Sequence, residues 1–381
     1  MNGRERLLTT LQGGEPDRVP VSPFVQEEFL SYLYKGEKVD RVTDAVACAR
    51  QFDFDVMPRS RMFETPHFMK KSFPNWELDV RTYVEDGIFY KVFHIETPAK
   101  TLQQIEAGPD VANRLAGIHL TTREYLIKDE SDLAAFVRYV PDIDSETIAE
   151  MQDYCAWSRR EIGDRGISVP WAWGGIYNQA SVLRDVSLLM MDPYINRDFY
   201  QAYMRKLTDL MVAYNSEFAK ANRDALGIQG NVANAAMMGK DFFDEHVLPY
   251  EKELVAVIED SGSLTVYHNC GRASVLLESY VEMGITAWET VAEKPQGDND
   301  LADAKKRIGK SITLIGNLDQ VNFLKTASVE EVEQRVECIV RTGKPEGRYI
   351  FACSDFLEEN TPIENIEAAL RAAKAAGMYQ A

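Results

Sequence analysis

Leu264-Thr265-Val266-Tyr267-His268-Asn269-Cys270-Gly271, followed by the helical pattern Ser274-Val275-Leu276-Leu277, reads as a strand, a loop and the start of a helix. Alternate residues of an extended chain share a face, so His268 and Cys270 point the same way where the strand ends. A second apolar run, Tyr349-Ile350-Phe351-Ala352, ends in Cys353 just before the acidic, loop-like Ser354-Asp355. Imidazole with two thiolates suits zinc, and such a set can keep or free one position for substrate. The plain alternative is three ordinary core residues, because buried free cysteine is common.

The same unit, an apolar run followed by helical periodicity, recurs along the chain. Candidate strands are Arg18 to Val21, Asp53 to Met57, Ile167 to Pro170, Ala225 to Ile228, Leu264 to Tyr267, Thr286 to Trp288, Ile312 to Ile315 and Tyr349 to Ala352. Eight strands separated by helices predict an α/β fold, a (β/α)₈ TIM barrel, since parallel strands need long and usually helical crossovers. An open doubly wound sheet is the other architecture this pattern allows. In a barrel of this kind active sites lie at the C-terminal strand ends, where His268, Cys270 and Cys353 all fall. Glu289 closes the sixth run in Ala287-Trp288-Glu289-Thr290 and is a candidate fourth ligand, a salt-bridged carboxylate being the alternative. Trp171 and Trp173, before Gly174-Gly175, are candidates for lining a cofactor or ligand pocket, as are Gln229 and Asn231 after the fourth run. Turn glycines, rim packing and solvated amides are the ordinary readings of those stretches.

One region breaks the pattern. From Trp76 to His94 the apolar residues alternate, and Asp86-Gly87 sits between the two alternating runs as a hairpin turn. Residues 74–127 are therefore expected to form an antiparallel β-hairpin insertion, a lid after the second strand, within one domain spanning residues 1–381.

Composition narrows the function classes. The chain of 381 residues is 45% apolar and carries 42 Lys plus Arg against 60 Asp plus Glu, a formal charge of −18. That balance argues against nucleic acid or an anionic membrane as partner. Met1-Asn2-Gly3-Arg4-Glu5-Arg6 lacks the apolar core of a signal peptide and no run reaches membrane-span length, so a cytoplasmic protein is expected. Five cysteines, Cys48, Cys155, Cys270, Cys338 and Cys353, are odd in number and scattered, which suits reduced thiols or ligands better than disulfides. Cys48 and Cys338 lie in helical patterns and are expected to pack. His67, His94, His119 and His246 have no spaced partner and are expected to be surface or core residues. No GxGxxG or Walker sequence supports nucleotide chemistry.

Several stretches together resemble the uroporphyrinogen decarboxylase superfamily. They are Arg4-Glu5-Arg6-Leu7-Leu8 with Pro16-Asp17-Arg18-Val19-Pro20-Val21, Asp241 to Pro249, Leu314-Ile315-Gly316-Asn317-Leu318-Asp319, and Thr361-Pro362-Ile363-Glu364-Asn365. Decarboxylases of that superfamily use an arginine-rich N-terminal loop and a C-terminal Gly-His motif. Here Val21-Ser22-Pro23-Phe24-Val25-Gln26-Glu27-Glu28 has no arginine and Phe351-Ala352-Cys353-Ser354 stands where the histidine would be. The other branch, the methylcobalamin:coenzyme M methyltransferases and their bacterial relatives, carries His-x-Cys and a distant Cys as zinc ligands. His268, Cys270 and Cys353 match that pattern, although Ala352 and Ser354 replace the family's glycine beside the last cysteine.

The resemblance implies a corrinoid-dependent zinc methyltransferase. Zn2+ would activate an acceptor such as a thiol, and methylcobalamin or a separate corrinoid protein would be the methyl carrier. The same barrel would also serve a primary methyltransferase taking methyl from a methoxy, methylamine or methyl halide donor to the corrinoid. A uroporphyrinogen decarboxylase-type reaction is the third reading.

Overall fold

The computed structural model describes residues 1–35, 39–110 and 120–379. Strands β5 (Ala225–Gln229), β6 (Leu264–His268), β7 (Ala287–Glu289), β8 (Thr313–Leu318) and β9 (Tyr349–Cys353) form a parallel sheet in chain order. Each is almost wholly buried, as expected of parallel strands covered by their crossover helices. Helices Leu248–Asp260, Leu277–Met283, Leu301–Ile308 and Val329–Gly343 connect them, and Ile363–Gly377 follows β9. Local sequence sets these helix starts. Asp300 caps Leu301–Ile308, and Ser328 with Glu331 forms a reciprocal capping box at Val329–Gly343.

Three N-terminal runs expected as strands are extended segments joined to the sheet by single bridges and a few bonds. Val21 bridges Phe351 of β9 in parallel, and Asp55 N–H donates to Val21 O at 2.8 Å. Val56 bridges Gly166, Trp171 N–H donates to Ser60 O at 2.8 Å, and Trp171 bridges Gly227 of β5. The segments thus carry backbone bonds from β9 at one edge of the sheet to β5 at the other. The departure from regular strand has a covalent cause: Pro20, Pro58 and Pro170 each remove one ladder N–H.

A separate antiparallel sheet is formed by β1 (Glu77–Glu85), β2 (Ile88–Glu96), β3 (Thr101–Pro109) and β4 (Thr121–Glu124), in that order. The first hairpin turns on Asp86 and Gly87, both at positive φ, which is the backbone a two-residue turn between twisted strands requires. The expected hairpin is thus two strands of four.

A small apolar cluster is made by Met57, Ile167, Val169, Ala225, Val266, Ala287, Ile315, Ile350 and Ala352, with Leu7 and Leu11 from helix Gly3–Leu11 packed against it. Alternation then places His268, two residues beyond Val266, and Glu289, two beyond Ala287, on the face this cluster occupies. By the same rule Cys353 goes with Tyr349 and Phe351, which belong to the larger cluster beneath the helices. Cys48 is buried as expected, but Cys338 is exposed because it lies on the outer side of helix Val329–Gly343. His119 lies outside the described residues, and no helix among them is long and apolar enough to cross a membrane.

Candidate functional site

His268 is the last residue of β6 and is buried. Its Nδ1 lies 3.2 Å from Oε1 of Glu289, the last residue of the neighbouring β7. The other Glu289 oxygen accepts from Arg59 Nη2 at 2.6 Å, and both partners of that ion pair are buried. The Arg59 guanidinium is also held over Phe24 and Trp171, 5.5 and 5.7 Å from their ring centres. Those two rings in turn pack edge-on against His268 at 5.9 and 5.5 Å. Gly227 permits this: a Cβ there would lie 2.7 Å from the Trp171 indole.

On its other side the imidazole presents Nε2 to Asp355, 4.0 Å from Oδ1. Donor atoms of His268, Cys270 and Asp355 all lie within 4.8 Å of one another, a group able to hold a metal ion. Two come from β6 and the loop after it, and the third from the bend after β9.

Electrostatics follow from who faces whom. Burial works to raise the Glu289 carboxyl, but the Arg59 guanidinium and the bond to His268 outweigh it and hold it at about 2. Burial works equally against a charged imidazole. Hydrogen bonds to Cys270 and Glu289, with Asp355 close by, nevertheless raise His268 to about 10. Nothing comparable supports Cys353, whose thiol burial pushes up to about 12. Asp355 is raised, chiefly by burial, with His268 opposing.

The remaining candidates are dispersed. Cys353 and Glu289 stand outside the group that meets within 4.8 Å. Cys353 is two residues before Asp355, and both Glu289 oxygens are engaged. Trp171 touches His268, and its buried Nε1 has no hydrogen-bond partner among the described residues. Trp173 is a core residue packed against Phe68 and Tyr214. Gln229 ends β5 with Nε2 donating to Glu64 Oε1 at 2.8 Å. Asn231 is exposed in the next turn. Trp288 is a buried core residue whose Nε1 donates to Asn269 O, bracing the loop that carries Cys270. Sequence reasoning passed over Arg59 and Asp355. Arg59 follows the apolar run ending in Met57 by two residues, so the strand-end rule that found His268 could have reached it, whereas Asp355 stands in the bend after β9, where strand alternation no longer fixes the face.

A model of the family described as uroporphyrinogen decarboxylase (URO-D) matches residues 124–376, more than half of the chain. Curated relatives include the methylcobamide:CoM methyltransferases MtbA of Methanosarcina mazei, 24% identical over 183 residues, and MtaA of Methanosarcina barkeri, 25% identical over 209. These matches cover 48% and 54% of this chain, and the chain spans 50% and 58% of those relatives' own length. A uroporphyrinogen decarboxylase of Methylobacillus flagellatus is 26% identical over 266 residues, 66% of this chain and 70% of its own. Among solved structures, a methyltransferase from Methanosarcina mazei superposes with a TM-score of 0.68 at 16% identity, covering 98% of this chain and 99% of the other, which supports the shared fold. The chain belongs to the uroporphyrinogen decarboxylase family.

Proposed function

We propose that the protein is a zinc-dependent methyltransferase moving a methyl group between a corrinoid, carried on a partner protein, and a small acceptor such as a thiol. The observation that carries this reading is the meeting of His268, Cys270 and Asp355 within 4.8 Å. One imidazole, one thiol and one oxygen or second sulfur suit zinc, so the donor set fits the metal. In this reading the five strands and the three proline-bearing segments close an eight-staved barrel. The small apolar cluster fills its interior and the donor group stands at its mouth, with the antiparallel sheet inserted after the second stave.

Each neighbour of the donor group has a task. Glu289 accepts the Nδ1 proton of His268 and leaves the Nε2 lone pair for the metal, an orienting role that suits it better than ligation. Arg59 neutralises Glu289, so the buried carboxylate stays ionised without drawing the metal to itself. Phe24 and Trp171 keep water off the imidazole faces. The end of β9 supplies the third ligand: Asp355 as the side chains stand, or Cys353, the thiolate that the family pattern assigns. When bound, zinc lowers the pKa of a thiol and holds it as the thiolate, the form that attacks a methyl group on a corrinoid.

The test is metal content of the purified protein beside His268→Ala, Cys270→Ala, Asp355→Asn and Cys353→Ala, with methylcobalamin assayed against a panel of thiols. We expect near-stoichiometric zinc, lost with activity in the first two variants and in one of the last two. Full zinc and activity in Cys270→Ala would sink the proposal. Turnover of uroporphyrinogen without metal would establish the decarboxylase reading instead.

A further inference from the structure

A second cavity lies against the antiparallel sheet, and strand register sets the residues of that wall. Lys91 pairs with Glu106 and Phe93 with Gln104 across β2 and β3. Residues two apart on a strand, and those directly opposite, share a face, so these four side chains form one patch. The patch faces a cavity of about 250 Å³ whose opposite wall includes Trp173 and Gln229. Neither His268, Cys270 nor Asp355 lines it, although Gln229 is the register partner of His268 on the adjacent strand.

The polar groups of this cavity are incompletely used. Gln104 is 1% exposed and donates Nε2 to Glu106 Oε1 at 3.0 Å, while its own Oε1 is buried with no hydrogen-bond partner among the described residues. A buried acceptor left unpaired is costly, and a ligand N–H would satisfy it. Lys91 and Glu106 are opposed in register but make no ion pair within 4 Å among the described residues. The ammonium lies over the Phe93 ring instead, 4.6 Å from its centre. Glu64, the other carboxylate of the lining, is already met by Gln229 and Arg61. The cavity is left with one carboxylate and one ammonium that have no ion-pair partner among the described residues, and one unpaired acceptor beside the carboxylate.

We propose that this cavity binds a small zwitterion of the amino-acid class whose ammonium carries at least one N–H. Glu106 and Gln104 Oε1 take the ammonium, Lys91 takes the carboxylate, and the Trp173 and Phe93 rings contact its apolar atoms. A lone cation would meet Lys91 and a lone anion Glu106, so only a ligand with both charges is complementary. The site does not depend on the metal.

The experiment is calorimetric titration of the full chain, with and without chelator, using N-methylglycine as probe. Dimethylamine, acetate and N,N,N-trimethylglycine remove in turn the carboxylate, the ammonium and the N–H. We expect saturable binding of N-methylglycine, at least roughly tenfold tighter than any of the three, as charge-assisted hydrogen bonds warrant. Chelator should leave it unchanged, which separates it from any failure of the metal site. The isosteric Glu106→Gln, and Lys91→Met, should each weaken it by roughly tenfold or more at unchanged melting temperature. Absence of saturable binding, equal affinity for dimethylamine or acetate, or full affinity in Glu106→Gln would overturn the proposal.

Discussion

Glu289 and Glu251 are both fully buried carboxylates, yet the protein treats them in opposite ways. Glu289, at the end of β7, is held at about 2 because Arg59 and His268 face its two oxygens. Glu251, on helix Leu248–Asp260, is pushed up to about 7 by burial, opposed only by the backbone N–H groups of Tyr177 and Ile176. Its Oε1 accepts from Tyr177 N at 3.1 Å, and its Oε2 has no partner among the described residues. Burial sets the cost of a charge, and an opposing charge decides its sign. The molecule places its fixed ion pair at the strand ends and leaves a titrating acid behind them.

The contrast breaks most sharply at Arg59. Arg59→Met strips Glu289 of its countercharge, and denaturant titration at pH 7.5 should show a loss of roughly 3–5 kcal/mol. A loss below about 1 kcal/mol would mean that the pair is not what keeps Glu289 ionised.

Glu251 gives the next largest effect, with the reverse dependence on pH. Its folded value lies above its ordinary 4.5, so the folded state holds the proton more tightly than the unfolded chain. Its contribution is complete below about pH 4.5 and is lost as pH rises through about 7. Glu251→Gln should therefore leave stability unchanged at pH 4.5 and raise it by roughly 3 kcal/mol at pH 8.5, read as a flatter stability profile across that range. A parallel profile in the variant would place the titrating group elsewhere.

Removing both partners sharpens the first result. In Arg59→Met with Glu289→Gln no charge is stranded, and the double variant should recover most of the single loss, to within about 2 kcal/mol of the parent. Tyr267→Phe is the smallest test. The Tyr267 hydroxyl is buried without a partner among the described residues, so its removal should change stability by less than about 1 kcal/mol.

Much of this architecture is legible in the sequence. The last five apolar runs match β5 to β9 to within a few residues, and none of those strands contains proline. Runs that must be buried on both faces announce themselves by continuous apolarity, and the helices between them by periodicity and caps. The three N-terminal runs were visible as extended chain but not as bridges, because interruption by one proline each depends on what pairs alongside. At the candidate site, His268, Glu289 and Cys270 are singled out by their place at or just beyond strand ends. What the sequence left open was rotation about those ends: which carboxylate faces Nδ1, which faces Nε2, and that alternation carries Cys353 with Tyr349 and Phe351. Arg59 was hidden by Pro58, which ended the apolar run one residue too soon.

The prolines have one more consequence. A segment with a proline has one fewer amide proton to lock, and segments 18–22, 54–60 and 166–171 hold their neighbours through single bridges and a few backbone bonds, whereas β5 to β9 hold theirs through continuous ladders. Native-state exchange should therefore divide the molecule unevenly. Deuterium should enter the N-terminal segments through local openings, while β5 to β9 exchange with the slowest class, as the last cooperative unit to let go.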